Sequence, residues 1–381
     1  MSNPEMINKV HNMVSGKGET LRVVIAGGGT GGHIFPALAI AGALKNKRPG
    51  TEILFVGAKG KMEMEKIPDA GYKITGLDIA GYNRSSFMQN LSLPYKLIKS
   101  FFQVREIFKR YRPDTVIGVG GYSTYPVVRF AQQRKIPTFI LESNSLAGKS
   151  NQLLSKKASA IFVASEGMEK YFPKEKILVT GNPVRDVFSK KISKEEALAF
   201  FGLKPGMKTV FVMGGSLGAK SINETINENI DLFKKNDLQL IWQTGKSFAP
   251  HAARAEEERT NIWTNAFINN MEYAYAAADV VVARAGAMTI AEMCVVKKAA
   301  VFVPYPFAAE NHQAVNAGNL VKRNAAFMVA DAEVKAKLIP VLFGLVKDES
   351  LIKELENNIA KLGNTNADEV IAQEILKRLK K

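Results

Sequence analysis

Cysteine occurs once in 381 residues, at Cys294. A lone thiol excludes a disulfide framework and a cysteine-based zinc centre, and it fits a reducing compartment. Histidine is nearly as scarce, with four residues, His11, His33, His251 and His312, too scattered to suggest a metal cluster. The pattern Asp-x-Asp is absent throughout, so a paired acidic metal clamp is missing too. No apolar run reaches the roughly 18 uninterrupted residues that a spanning helix needs. The first 20 residues, MSNPEMINKVHNMVSGKGET, hold no apolar stretch of the secretory type and are expected to form a flexible polar extension.

Acid is scarce in one half only. Residues 1–184 carry 26 Lys+Arg against 13 Asp+Glu, a balance of +13, while residues 185–381 carry 26 against 23, or +3, making up the net +16. The first half therefore faces something anionic: nucleic acid, acidic lipid or a phosphorylated substrate.

Strand-like runs alternate with helical patterns along the chain. LRVVIAG, EILFVG, TVIGVG, TFILE, AIFVAS and ILVTG make one series; TVFVMGG, QLIWQTG, NIWTNAFI, DVVVARAG and AAVFVPY make a second. Short buried strands separated by helices predict parallel sheets with helices on both faces. The halves echo each other: VVIAGGGTGGHIFPALAI parallels VFVMGGSLGAKSINETI, and TVIGVGGYSTYPVV parallels VVVARAGAMTIAEM. The expectation is an α/β chain with two Rossmann-like doubly wound domains facing across a deep cleft, at 21–184 and 185–364. The join falls near Asn182-Pro183, and an amphipathic helix at 365–381 is expected to pack back on the first domain.

The glycine turns carry the chemistry. GGGTGGH places five glycines in six positions after a strand and before a helix. Gly27, Gly29 and Gly32 satisfy GxGxxG, which suggests backbone amides approaching a pyrophosphate. A nicotinamide site also wants an acid at the end of the second strand to hold the ribose; EILFVG ends in Val56-Gly57, which disfavours an oxidoreductase. Ser216, in GGSLGA, bonds a phosphate or caps the next helix. In ARAGAMTIAE a helix starts near Met288-Thr289, and Glu292, one turn on, either holds a ribose or stabilises the helix start. With no metal indicated, a leaving diphosphate would be met by helix N-termini and an arginine.

Together, GGGTGGH, GNPVR, GGSLGA, RAGAMTIAE and NHQAVNA, in this order from about residue 21 to 330, resemble the MurG family of peptidoglycan glycosyltransferases. The resemblance implies a GT-B fold and inverting transfer of N-acetylglucosamine from UDP-GlcNAc to lipid I, giving lipid II. It implies no metal and no cofactor. Carried over residue by residue, it implies that Thr30, Gly31 and Gly32 approach the sugar and diphosphate, and that Asn144 lies near the sugar. Arg185 and Ser216 would contact the nucleotide diphosphate, and the backbone of Ile268 would read the uracil. Ala287, Met288, Thr289, Ile290 and Ala291 would lie under the diphosphate, with Glu292 on the ribose and Gln313 on the sugar hydroxyls. The chain departs from the family at Leu141, where many members have histidine, and at Glu310-Asn311, where an Asp is common.

Single displacement at C1 needs a general base. His33, at a helix start on the cleft rim, is the first candidate, with hydrogen bonding to substrate or helix capping as its other reading. Glu142 is the second candidate base, or else orients a neighbour. Residues 81–112 hold seven basic residues and one acid, with apolar residues at helical spacing at Leu97, Phe101, Val104 and Phe108. Val104 and Phe108 are expected in the core. Phe87, Met88, Leu91 and Leu93, with Lys96 and Lys99, are expected to dock the chain peripherally on an anionic membrane, at its cytoplasmic face if the acceptor is a polyprenyl lipid. Rival readings are a UDP-GlcNAc 2-epimerase, a glycolipid synthase, and, from the charge, a nucleic-acid binder. The last is disfavoured because the basic residues sit among apolar ones in no recognisable nucleic-acid module.

Overall fold

The computed structural model describes residues 20–81, 92–215, 218–251, 261–308 and 311–379. The first lobe contains β1 (Arg22–Gly27), β2 (Glu52–Ala58), β3 (Lys73–Leu77), β4 (Thr115–Gly120), β5 (Thr138–Glu142), β6 (Ala160–Val163) and β7 (Ile177–Val179). They form one sheet ordered β3-β2-β1-β4-β5-β6-β7. The second lobe contains β8 (Lys208–Met213), β9 (Leu238–Gln243), β10 (Ile262–Asn265), β11 (Val280–Ala283), β12 (Ala299–Phe302) and β13 (Phe327–Met328), ordered β10-β9-β8-β11-β12-β13. The strands pair parallel. Central strands such as β4, β6 and β11 are buried almost throughout, which is why they read as continuous apolar runs and not as alternating ones.

Strand order reverses between β1 and β4 in one lobe and between β8 and β11 in the other. A crevice opens beyond the carboxyl ends of the strands at such a switch point. Each paired glycine turn noted in the sequence follows one of these four strands, so all four turns lie at the mouths of the two crevices.

The chain crosses to the second lobe through Thr180–Val184 and returns at its end. The last helix, Ala367–Leu379, buries Ile371, Ala372 and Ile375 in the core that also holds Ile40 and Leu44 of helix Gly31–Lys47. Asn364 Nδ2 donates to Thr180 O at 2.6 Å, tying the returning segment to the crossing one. In helix Leu93–Tyr111 Val104 and Phe108 are core residues, and Ser100 is buried beside them. Among the described residues no helix is long and apolar enough to cross a membrane.

Candidate active site

The turn after β1 is braced from inside. Gly28 N donates to Gly120 O at 3.2 Å, which joins the two turns of the first crevice. Gly29 N donates to Glu63 Oε2 at 2.7 Å, and Ala58 N donates to Glu63 Oε1 at 3.0 Å. Glu63 is almost fully buried at the start of helix Glu63–Asp69. A Cβ on Gly28 would fall 2.3 Å from that carboxyl group. This corrects the GxGxxG expectation at one point: a fixed carboxylate already sits on the Gly29 amide and would repel a pyrophosphate there. The amides left for a ligand are further on, at Gly31 and Gly32. These open helix Gly31–Lys47 behind Thr30, whose side chain makes no capping bond.

His33 lies in the first turn of this helix. Its Nδ1 is 2.9 Å from Gly28 O. A carbonyl only accepts, so Nδ1 carries the hydrogen, and in the neutral ring Nε2 holds the lone pair. Nε2 lies over Gly120, where a Cβ would approach it to 2.7 Å. Burial is the largest influence on the imidazole and lowers its pKa. The Gly28 bond, Glu142 and Glu63 act in the opposite direction, and His312 adds to the lowering.

Glu142 is buried with both oxygens filled. Oε1 accepts from Asn144 N at 3.1 Å and Nδ2 at 3.4 Å; Oε2 accepts from Gly148 N and Asn151 Nδ2, both at 2.9 Å. Four donors on four lone pairs leave nothing for a substrate hydroxyl, so the geometry goes against Glu142 as a base and favours its other reading, as the organiser of the Asn144 loop. That loop reaches the second lobe: Ser145 N donates to Asn316 Oδ1 at 3.1 Å, and Asn316 Nδ2 to Asn144 Oδ1 at 3.4 Å.

On the facing rim, helix Ala287–Val296 starts after Gly286 with no acid in its first turn. The amides of Ala287, Met288 and Thr289 lack intrahelical partners by helix geometry and present a positive end. Glu292 is buried; its Oε2 accepts from Tyr275 OH at 2.8 Å, and its Oε1 is 3.9 Å from Arg185 Nη2. Burial pushes the Glu292 pKa up, against the pull of Arg185 and Tyr275. The Arg185 guanidinium sits 4.8 Å from the ring centres of both Phe35 and Phe188. Phe35 belongs to the helix that carries His33, so contacts run from that helix through Phe35 and Arg185 to Glu292. Among the described residues, Arg185 Nε is buried with no hydrogen-bond acceptor.

The other expected positions are placed unevenly. Ile268 N donates to Gln243 Oε1 at 2.9 Å, so its carbonyl is what it can offer a uracil edge. Gln313 Oε1 accepts from Tyr305 N at 2.9 Å, which leaves its amide NH₂ for a sugar. Met288 packs into the core, whereas Ala287, Ile290 and Ala291 line an interlobe cavity of about 630 Å³ with Asn182, Asn316 and Cys294. Ser216, Phe87, Met88 and Leu91 lie outside the described residues. Leu93, Lys96 and Lys99 lie on helix Leu93–Tyr111, where Lys99 bonds Asp78 at 3.0 Å. Together with Lys59 at 2.8 Å, it holds the Asp78 carboxyl at about 2.

Several neighbours escaped the sequence reading. Glu63, Tyr275, Gln243 and Asn316 act on backbone or on residues distant in the chain, and no local pattern announces them. Tyr95, Ile98 and Phe102 did carry a signal, spacing of three and four; they are 68%, 59% and 63% exposed on one face of helix Leu93–Tyr111.

Comparison with known proteins decides the family. Residues 23–163 match the glycosyltransferase family 28 N-terminal domain, and residues 209–375 match the family 28 C-terminal domain. The chain belongs to glycosyltransferase family 28.

Two curated relatives extend over nearly its whole length. A Bacteroides thetaiotaomicron protein is 49% identical over 362 residues, covering 94% of this chain and 97% of the relative. A Cytophaga hutchinsonii protein is 46% identical over 355 residues, covering 93% and 96%. Both are named UDP-N-acetylglucosamine–N-acetylmuramyl-(pentapeptide) pyrophosphoryl-undecaprenol N-acetylglucosamine transferase. The crystal structure of Acinetobacter baumannii MurG superposes with a TM-score of 0.74 at 28% identity, covering 94% of this chain and 99% of that one. The two family 28 lobes are thus the halves of a GT-B fold. A Neisseria meningitidis UDP-GlcNAc 2-epimerase shares that fold at 17% identity and a TM-score of 0.64, covering 94% and 100%.

Proposed function

We propose that this family 28 enzyme transfers N-acetylglucosamine from UDP-GlcNAc to the 4-hydroxyl of the muramyl sugar of lipid I, with inversion, giving lipid II for peptidoglycan. The observation that carries the mechanism is the pairing of two rims. An imidazole whose Nδ1–H is held by Gly28 O lies on a helix that reaches Arg185 through Phe35, and Arg185 in turn neighbours Glu292 on the opposing helix.

The acceptor oxygen attacks C1 as its proton passes to His33 Nε2. The C1–O bond breaks with its electron pair going to the diphosphate. The amides of Ala287, Met288 and Thr289 and the Arg185 guanidinium receive that charge, so no metal is required. Glu292 Oε1 accepts from the ribose hydroxyls, the Ile268 carbonyl reads the uracil, and Ser216 adds a phosphate contact. Gln313 and Asn144 hold the sugar, with Ile290 and Ala291 behind it. Thr30, Gly31 and Gly32 close over sugar and diphosphate from the acceptor side. Glu142 is assigned to positioning Asn144 and not to proton transfer.

Residues 21–184 serve the acceptor and 185–364 the donor. A polyprenyl-linked acceptor stays in the bilayer, so the enzyme must come to it. The exposed Tyr95, Ile98 and Phe102, with Leu93, Lys96, Lys99 and the preceding Phe87, Met88 and Leu91, form a docking face for an anionic membrane on its cytoplasmic side.

The test is to incubate the protein with UDP-GlcNAc and a lipid I analogue in chelator. Disaccharide product should form, and His33→Ala should slow it by about 10²- to 10⁴-fold. A loss under about tenfold removes His33 from the base role. Hydrolysis or epimerisation of the donor with no disaccharide would overturn the assignment.

A further inference from the structure

The two hydrogen bonds at the first glycine turn belong to one peptide unit. Gly28 C=O accepts from His33 Nδ1 at 2.9 Å, and Gly29 N–H, the other end of the same peptide, donates to Glu63 Oε2 at 2.7 Å. A carboxylate, a peptide dipole and an imidazole therefore stand in series. We propose that Glu63 is the positioning residue for His33, orienting and polarising it through the Gly28–Gly29 peptide as a buried carboxylate does by direct contact in a catalytic triad. This rests on the reading of His33 as the base.

The geometry needs a device of this kind. Gly28 and Gly29 have φ of +144° and +89°, backbone that glycine adopts without penalty in either sense. A peptide between two such residues can rotate about its flanking bonds, and rotation would present N–H in place of C=O to the imidazole. The ring would then lose its acceptor and the tautomer with Nε2 open. Glu63 blocks that rotation because an ionised carboxylate oxygen can only accept, and both of its oxygens already face N–H groups. Its own place is set by the second oxygen, which accepts from Ala58 N at 3.0 Å at the last residue of β2. The fit is close enough to require glycine, since a Cβ on Gly28 would meet the carboxyl at 2.3 Å. Bonds in series polarise one another, and a low-dielectric surrounding strengthens the effect.

The titratable groups facing the imidazole are Glu63 from the helix after β2, Glu142 from β5 and His312 from the second lobe. Burial lowers the His33 pKa first; the Gly28 bond and the two carboxylates oppose it. The sign follows. Removing the Glu63 charge lets the pKa fall further and leaves a weaker base.

The experiment uses the full chain. Imidazole ¹⁵N shifts of His33, assigned by loss in His33→Ala, report tautomer and pKa without reference to turnover. Wild type should show neutral imidazole protonated at Nδ1. In Glu63→Gln the His33 pKa should drop by about half a unit or more, and the Nδ1–H tautomer should give way to a mixture. The acidic limb of kcat/KM should move to lower pH with it, and plateau turnover should fall on the order of tenfold, with KM for UDP-GlcNAc held within about twofold. A Glu63→Gln enzyme with an unchanged His33 titration overturns the proposal. If that variant fails to fold, the wild-type spectrum still decides: an Nε2–H imidazole overturns it. Failure of the base reading would look different, with turnover surviving in His33→Ala while Glu63→Gln still shifts the ¹⁵N titration.

Discussion

Replacing Arg185 by alanine is the sharpest test of how the donor's charge is met. The residue does three things in the structure. Its guanidinium lies 4.8 Å from the ring centres of both Phe35 and Phe188, one ring from each lobe. Its Nη2 lies 3.9 Å from Glu292 Oε1, and its charge pulls that carboxyl's pKa down against burial. It also flanks the helix start at Ala287. Loss of one preorganised donor to a developing anion costs about 2.7–4 kcal/mol. The ring contacts add roughly 0.5–1 kcal/mol each, part of which goes into fixing the donor and is not additive with it. The expected loss in kcat/KM is therefore about 10²- to 10³-fold. Arg185→Lys keeps the charge but neither the plane nor the fork, so it should recover only part of this. Steady-state release of UDP with a lipid I analogue gives kcat and KM, and calorimetry gives UDP affinity for each variant. A loss below about tenfold in Arg185→Ala, or Arg185→Lys indistinguishable from wild type, would refute the reasoning.

Other perturbations reach different parts of the site. Gly120→Ala puts a Cβ 2.7 Å from His33 Nε2 on backbone at φ +97°, so turnover should fall at least tenfold while UDP binding to the second lobe is retained; normal turnover would show that the imidazole is not needed there. Burial raises the Glu292 pKa, so its carboxyl binds a proton more tightly in the folded chain than in the unfolded one. Wild type should thus lose stability as pH rises from the ordinary carboxylate range through the raised value, and Glu292→Gln should flatten that part of a melting-temperature profile. Tyr95→Ser combined with Phe102→Ser should weaken sedimentation with anionic vesicles about tenfold; unchanged partition would remove the exposed stripe from membrane docking. The Cys294 thiol, pushed up to about 12 by burial on the interlobe cavity, should resist alkylation at pH 8 until the chain unfolds, and labelling of the native enzyme within minutes would contradict its placement.

The residues that could be read from the sequence are those whose chemistry is local. Strand, glycine turn and helix follow one another within about twenty residues, so GGGTGGH and RAGAMTIAE disclosed both the sheets and the crevices. Glu292 was legible as a carboxylate one turn inside the helix that follows a glycine turn, and Arg185 through the resemblance that GNPVR carries. Glu63 was not. It stands 34 residues from the amide it holds, in KMEMEK, a stretch that reads as a solvated helix face. Only the return of the chain from β2 to the mouth of β1 makes that carboxylate internal. The Gly29 amide was hidden for the same reason: composition could not reveal that one amide of the first glycine turn was already bound, which leaves those of Gly31 and Gly32 for a ligand. The two crevices consequently differ in kind despite their repeated sequence pattern. In the first, a fixed internal carboxylate takes up backbone donors and bears on the His33 imidazole. In the second, a helix start free of acid keeps its donors for an incoming anion. Proton removal suits the first and charge acceptance the second. Inverting transfer needs both on opposite sides of the same C1, which two lobes facing across a cleft supply.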